Sequence, residues 1–511
     1  MTTENTITLT GVDIHGSARL RPSREGRRRW LALMALCLGE LMIVLDTTII
    51  NVALPSIRAD LGFTPASLAW VMNSYMLTFG GFLLLAGRMG DVFGHRRMFL
   101  LGLVVFTAAS LICGVAGSPG SLVGARAVQG LGGAAVSVIS LSLIVTMFTT
   151  VAERAKAMGI IGFVIAAGGC LGVVLGGILT GAFGWHWVFL VNVPLGAAVI
   201  AMCWVLVPAR SGSSYFRRLD VAGAVTVTVA LLIIVYAIMD GNDAGWNSVW
   251  TIGRLVVAAV LLGLFFRVEA RAPYPLMPLA LLRLRSVVAA NFVSVLCAAG
   301  LFAWFFLTAL YLELVLGYSP LEVGLAFLPE NLIMGVFSLG LSERIVLRCG
   351  TRLPATLGML LVAASLVVLA HAGVGGSFLA DVLPAMVLLG MGMGIALNPI
   401  LLAAVSEVSP AETGLASGMV NTSFMMGGAV GLAGLASLAD AHTRGLLAGG
   451  AGPQTALTGG YHPAFLLAAG LAVAAAGISM LLRPAPSRVD DPAGGAAPGR
   501  SGVTSRRINR L

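Results

Sequence analysis

Glu40, Asp46, Glu313 and Glu330 are carboxylic acids set in or beside long apolar runs, and Arg126 is a guanidinium set in another. Bringing one such charge to the centre of a hydrocarbon layer costs roughly 2.5–3.5 kcal/mol on insertion scales, so each of these residues demands a use or a partner. A carboxyl in apolar surroundings can take up and release a proton. An arginine there requires a carboxylate or a polar partner. Asp46 is the acid to test against Arg126, and Gln129-Gly130 and the small run Gly132-Gly133-Ala134-Ala135 follow that arginine. Two plainer readings stay open: Asp46 in a wet vestibule at the membrane edge, and Arg126 in a purely structural pair. Glu313 is expected at an outer mouth because Gly317-Tyr318-Ser319-Pro320 follows it, whereas Asp240 and Asp243 read as solvated loop residues.

No HExxH, GxxxxGK[ST] or GxSxG constellation occurs, which disfavours an enzyme and an ATP-driven machine. The six cysteines are scattered without a CxxC, so neither a disulfide framework nor a metal site is indicated. No cofactor is expected.

The elements that position these groups follow from composition. Hydrophobic residues make up 58% of the 511 positions and charged residues only 10%, against about 25% charged in a soluble domain. Lipid must therefore be the solvent for most of the chain. Apolar runs of about 20 residues recur, the length that crosses a ~30 Å hydrocarbon core as a helix. They predict an all-α membrane protein of fourteen transmembrane helices, at about 30–52, 67–87, 96–117, 120–146, 157–180, 186–207, 220–240, 250–268, 288–314, 321–342, 353–372, 379–403, 414–438 and 463–482. The loop at about 439–462 is glycine-rich, with no evident fold of its own.

The net charge of +9 does not point to nucleic acid, because the basic residues fall in short clusters between the apolar runs. Loops on one side, with both tails, hold 27 of the 31 Lys and Arg, while the opposite loops hold only Arg58, Arg254 and Arg444. The positive-inside rule then places both termini in the cytoplasm. The first run has no small-residue cleavage site at its end and reads as a retained span. Residues 1–29 and 483–511 read as disordered cytoplasmic leader and tail.

The spans contain an internal echo. Gly87-Arg88-Met89-Gly90-Asp91-Val92-Phe93-Gly94-His95-Arg96-Arg97 follows span 2, and Gly340-Leu341-Ser342-Glu343-Arg344, with Arg348, Gly350 and Arg352, follows span 10. Both are short, basic and glycine-containing at one place in a six-span unit. That fits two six-helix bundles, 30–207 and 288–482, with two extra spans and a linker at 208–287 between them.

Four separated signatures give the chain a resemblance to a known family. They are Leu45-Asp46-Thr47-Thr48-Ile49-Ile50-Asn51-Val52-Ala53-Leu54-Pro55; the 87–97 loop; Arg126; and the span 5 series Gly159, Gly168, Gly172, Gly176, Gly177. Over about residues 30–482 the sequence resembles the major facilitator superfamily, in particular its fourteen-span drug:proton antiporter branch. The resemblance implies proton coupling through Asp46 and Arg126, for which Glu40 and Glu330 are further candidates. It implies a conformational latch in the loop (Gly87, Arg88, Asp91, Gly94, Arg96, Arg97), with Asp91 meeting a helix N-terminus or an arginine of a neighbouring span. Asn51, Gln129, Trp304 and Glu313 are candidates for substrate contact or the outer mouth. The sequence departs from the family pattern at Val92 and His95, commonly arginine, and at Val173, where the antiporter signature has proline.

The expectation is a monomeric, proton-driven exporter of a small lipophilic or cationic drug or antibiotic in a bacterial inner membrane. Its energy source is the proton gradient, its solvent the lipid bilayer. The alternatives are an uptake transporter of the same superfamily, and a non-transporting membrane receptor or scaffold.

Overall fold

The structure is a computed structural model that describes residues 24–148, 150–207, 220–272, 275, 277, 280–338, 342–408 and 412–482. The leader up to 23, the linker 208–219, the tail from 483 and residues 339–341 of the second basic loop lie outside the described residues. Among the described residues, thirteen helices are long and apolar enough to cross a membrane. The first half contains α1 (Arg24–Leu61), α2 (Pro65–Leu68), α3 (Trp70–Phe93), α4 (His95–Gly114), α5 (Pro119–Met147), α6 (Val151–Phe183), α7 (Trp187–Leu190) and α8 (Asn192–Leu206). The pair α9 (Val221–Ala244) and α10 (Val249–Arg271) follows. The second half holds α11 (Arg285–Leu310), α12 (Pro320–Ala326), α13 (Leu328–Val336), α14 (Ser342–Cys349), α15 (Arg352–Leu369), α16 (Leu383–Val405), α17 (Thr413–Ala448) and α18 (Pro453–Ser479).

The tenth expected span is where the count departs from fourteen. Instead of one helix over 321–342 it forms α12 and α13, divided at Phe327. The physical reason is Pro329: proline donates no amide hydrogen and restricts the residue before it, so the turn around Leu328 cannot carry a regular helical ladder. A second departure is the expected loop at 439–462. Most of it is helix, because α17 continues to Ala448 and α18 begins at Pro453. Helices here outrun the apolar stretches that hydropathy detects.

Helix starts follow local chemistry. Ser118 caps α5 in a reciprocal box with Ser121, with Pro119 at the first helical position, and Ser319 does the same for α12 with Glu322 and Pro320. Gly94, at φ 94°, turns the chain from α3 into α4 in a backbone conformation that side chains resist. Gly350, at φ 71°, stands at the corresponding corner before α15.

Within each half, small residues let backbones touch. A Cβ on Gly132 of α5 would lie 2.6 Å from the Phe106 amide nitrogen of α4, and one on Gly102 of α4 would lie 3.1 Å from the Gly132 carbonyl. The same reciprocal contact recurs between α15 and α16: a Cβ on Gly358 would lie 2.5 Å from the Gly392 carbonyl, and one on Gly392 would lie 2.6 Å from the Gly358 carbonyl. These are the third and fourth spans of each six-span unit, so the loop echo in the sequence extends to packing.

The halves meet along two seams. On one, α3 packs against α17; on the other, α6 packs against α12 and α13. Helix α9 lies on both α3 and α17, and α10 packs on α9. Asn242 Nδ2 donates to the Ser437 carbonyl at 2.8 Å and to its Oγ at 2.9 Å. Asp243 pairs with Arg444 of α17 and Asp240 with Arg254 of α10. Both acids are thus ion-paired, whereas the sequence suggests simple solvation; their partners lie on other helices and are invisible to local pattern.

Replacing Gly132 with alanine is expected to lower unfolding stability by about 1–3 kcal/mol, since the new methyl meets backbone that cannot swing aside. Among the described residues a Cβ on Gly159 meets nothing within 4 Å, so Gly159→Ala should be neutral or slightly stabilising. Thermal unfolding of both purified variants checks the contrast, and equal melting temperatures would refute this packing.

Candidate functional site

Asp46 and Arg126 meet inside the first half. Both are almost wholly shielded, at 0% and 1% exposure, and Arg126 Nη1 donates to Asp46 Oδ2 at 2.5 Å. Gln129, one helical turn beyond Arg126, closes the arrangement. Its Oε1 accepts from Arg126 Nη1 at 2.7 Å, and its Nε2 donates to Asp46 Oδ1 at 2.7 Å and to Ser110 Oγ at 2.8 Å. Asn192 Nδ2, at the start of α8, donates to Asp46 Oδ1 at 3.1 Å. Arg126 Nε donates to the Val71 carbonyl of α3 at 3.0 Å. The Tyr75 ring lies 4.4 Å from the guanidinium carbon, adding a cation–π contact in a desolvated place. Five helices therefore supply one charge cluster.

Local sequence makes this possible. A Cβ on Gly130 would lie 2.5 Å from the Tyr75 carbonyl, so only glycine lets α3 approach α5 closely enough to lay Tyr75 on Arg126. Ser110, Tyr75 and Asn192 are not marked as site residues by sequence reasoning. Their signal is a polar group at the middle or end of an apolar run, which by itself does not say which neighbour it serves.

Glu40, also on α1, sits apart from this cluster. Ser137 and Ser140 of α5 donate to its two carboxylate oxygens at 2.9 and 3.2 Å. Asn51 turns back on its own helix, donating to the Thr47 carbonyl at 3.2 Å. The structure thus brings Asp46, Arg126 and Gln129 together and leaves Glu40 and Asn51 separate from them.

In the second half, Glu330 on α13 is completely buried, and neither carboxylate oxygen has a hydrogen-bond partner among the described residues. It stands beside the seam: α13 packs on α6 and α16, and the neighbouring Asn331 Oδ1 would lie 2.9 Å from a Cβ on Gly169 of α6. Glu313 lies in a short π-helical stretch, Tyr311–Val315, that ends the span begun by α11; its Oε2 is buried without a partner among the described residues. Trp304 is fully enclosed, edge-on to Phe305 and Phe327, with centroids 5.2 and 5.9 Å away.

The glycines of α6 divide between two neighbours. Gly168, Gly172 and Gly176 press on α1 at Val44, Thr48 and Ile49, whereas Gly177 presses on Pro320 and Leu321 of α12. Val173 is buried, and its carbonyl would lie 2.3 Å from a Cβ on Gly324. Gly162 shares the face of Gly169 two turns earlier, yet among the described residues a Cβ there meets nothing within 4 Å, and the same holds for Gly335 on α13. This seam is tight where α6 ends and open where α6 begins.

In the 87–97 loop, Asp91 Oδ1 lies 3.3 Å from Nε2 of His95, the first residue of α4. Arg88 Nη2 donates to the Pro275 carbonyl at 3.3 Å. Arg96 donates to the Trp204 carbonyl, its guanidinium 5.6 Å from the centre of that ring. Gly87 abuts Val138 and Arg97 is exposed. The loop thereby ties α3 and α4 to the end of α8 and to the segment after α10.

A family model described as the Major Facilitator Superfamily matches residues 36–432. The chain belongs to the major facilitator superfamily. Among curated relatives, it is 35% identical over 476 residues to puromycin resistance protein pur8 of Streptomyces alboniger, covering 92% of this chain and 94% of that one. It is 37% identical to the cephamycin export protein CmcT of Amycolatopsis lactamdurans, covering 84% and 89%, and 34% identical to a lincomycin resistance protein of Streptomyces lincolnensis, covering 82% and 86%. Among solved structures it is similar in fold to a point mutant of the nucleoside transporter NupG, with a TM-score of 0.62 at 13% identity over 88% of this chain and 99% of that one. As a multi-pass membrane protein of this superfamily, it carries its buried charges inside helical bundles.

Removing one member of the central pair should be costly. Arg126→Ala or Asp46→Ala alone is expected to destabilise the fold by roughly 3–5 kcal/mol, because each leaves the other charge buried and unpaired. The double replacement Asp46→Leu with Arg126→Met should lose much less than the sum of the single losses. Additive losses in denaturant unfolding would show that the two do not depend on one another.

Proposed function

We propose that this protein is a proton-coupled exporter of small lipophilic or cationic compounds, antibiotics in particular. In this reading it works by alternating access in a bacterial inner membrane, with both termini cytoplasmic. The observation that carries the coupling is the shielded Asp46–Arg126–Gln129 cluster: a titratable acid whose ionised form is held by an arginine and two amide donors, away from bulk water. The direction and cargo class are supported by relatives named for cephamycin export and for resistance to puromycin and lincomycin.

The mechanism uses the pair as a switch. A proton arriving from outside neutralises Asp46, and Arg126 then loses the charge that opposes its own. The two helices α1 and α5 are freed to shift, and α1 bears directly on the α6 glycines at Thr48 and Ile49. With the start of α6 on the cytoplasmic side in this reading, the seam that parts below Gly169 is the route by which cargo enters from the cytoplasm. Deprotonation toward the inside restores the ion pair. One charge moving through 100 mV is worth about 2.3 kcal/mol, which supports a concentration ratio of about fiftyfold.

Glu330 serves as the second acid in this scheme. A buried carboxylate without a partner is costly, and a proton or a cationic cargo removes that cost. Its place beside the open part of the seam suits either.

Inverted membrane vesicles given a proton gradient should take up puromycin or a cationic dye, and a protonophore should abolish the uptake. Asp46→Asn, at equal membrane abundance, should abolish gradient-driven uptake while leaving cargo binding measurable. Uptake that persists in either condition would sink the reading. Glu330→Gln should leave thermal stability equal or higher and lower the uphill accumulation ratio; an unchanged ratio would remove Glu330 from the coupling.

A further inference from the structure

On the outer flank of the second half, α14, α15 and α16 frame a groove of about 440 Å³. It is lined by apolar groups, among them Ile345, Leu353, Leu357, Leu360 and Ile395. Leu353 and Leu357 are 50% and 49% exposed, so the groove faces outward from the bundle.

Three arginines border one end of this groove. Arg344 and Arg348 are four residues apart on α14 and so share one stripe of that helix, next to the stripe of Ile345 and Cys349 that lines the groove. Arg352 opens α15 and precedes Leu353. All three are exposed. None has an ion-pair or side-chain hydrogen-bond partner among the described residues. Like charges on one helical stripe repel, and an anion between them relieves that repulsion.

Because α15 is itself a candidate span, Arg352–Leu369, the groove starts at the boundary between polar and apolar solvent and runs into the apolar one. Positive charge at headgroup depth followed along a single helix by exposed leucines matches an anionic phospholipid. A soluble anion would use the charge and leave the groove unfilled. We propose that this groove holds an anionic phospholipid, with an acyl chain along Leu353, Leu357 and Leu360 and its phosphate among Arg344, Arg348 and Arg352. The proposal is independent of what the protein transports.

The test uses the full chain reconstituted in vesicles of equal phosphatidylcholine and phosphatidylglycerol, gently extracted, with retained lipid counted by native mass spectrometry. The wild-type protein should retain phosphatidylglycerol in preference to phosphatidylcholine, and added inorganic phosphate should not displace it. R344Q, R348Q and R352Q should each lower that retention by about fivefold, the worth of one basic residue at a charged membrane surface. Leu357→Trp, which fills the groove without touching the arginines, should also lower it. Equal retention of the two lipids by the wild-type chain would overturn the proposal. So would undiminished phosphatidylglycerol on the triple arginine variant or on Leu357→Trp, or displacement by inorganic phosphate alone.

Discussion

The ion pair between Asp46 and Arg126 is the constraint around which the first half is organised. Two opposite charges removed from water attract strongly in a medium of low dielectric, but they repay their desolvation only when their remaining hydrogen-bonding capacity is also met. Here Gln129, Asn192 and the Val71 carbonyl meet it. The demand falls on α1, α3, α5 and α8 at once, with α4 contributing through Ser110. The glycine contacts between α3 and α5 and between α4 and α5 follow from it, since a bulkier interface would hold those donors out of reach.

The second half is built on the same glycine contacts and carries a different electrostatic problem. Where the first half satisfies its acid, α13 buries Glu330 with no hydrogen-bond partner among the described residues. The halves are alike in packing and unlike in charge. The first bundle thus closes its charges on one another, while the second leaves an acid beside the boundary between the bundles.

Much of this is legible in the amino-acid sequence alone. Lipid forces the backbone to satisfy itself internally, so a long apolar run has little choice but helix, and most spans sit where hydropathy puts them. The union of Asp46 with Arg126 was legible for the same reason, because each is too costly to bury alone. The break at Phe327 is not, since the run through 321–342 is mostly apolar despite Glu322, Glu330 and Asn331, and only Pro329 marks it. Nor were the lengths of α17 and α18, where helix continues through Asp440, Arg444 and Gln454, which a hydropathy average reads as loop. Serines such as Ser137 and Ser140 gave no warning that they serve Glu40; a hydroxyl can equally bond its own helix, and the partner lies on another.

Helix α9, laid over both α3 and α17, makes the protein's two flanks unequal. One boundary between the bundles is roofed by an additional helix pair, while the α6 boundary has no such cover among the described residues. A molecule dissolved in the bilayer and drifting sideways therefore finds one door walled off, and any lateral access belongs to the opposite flank.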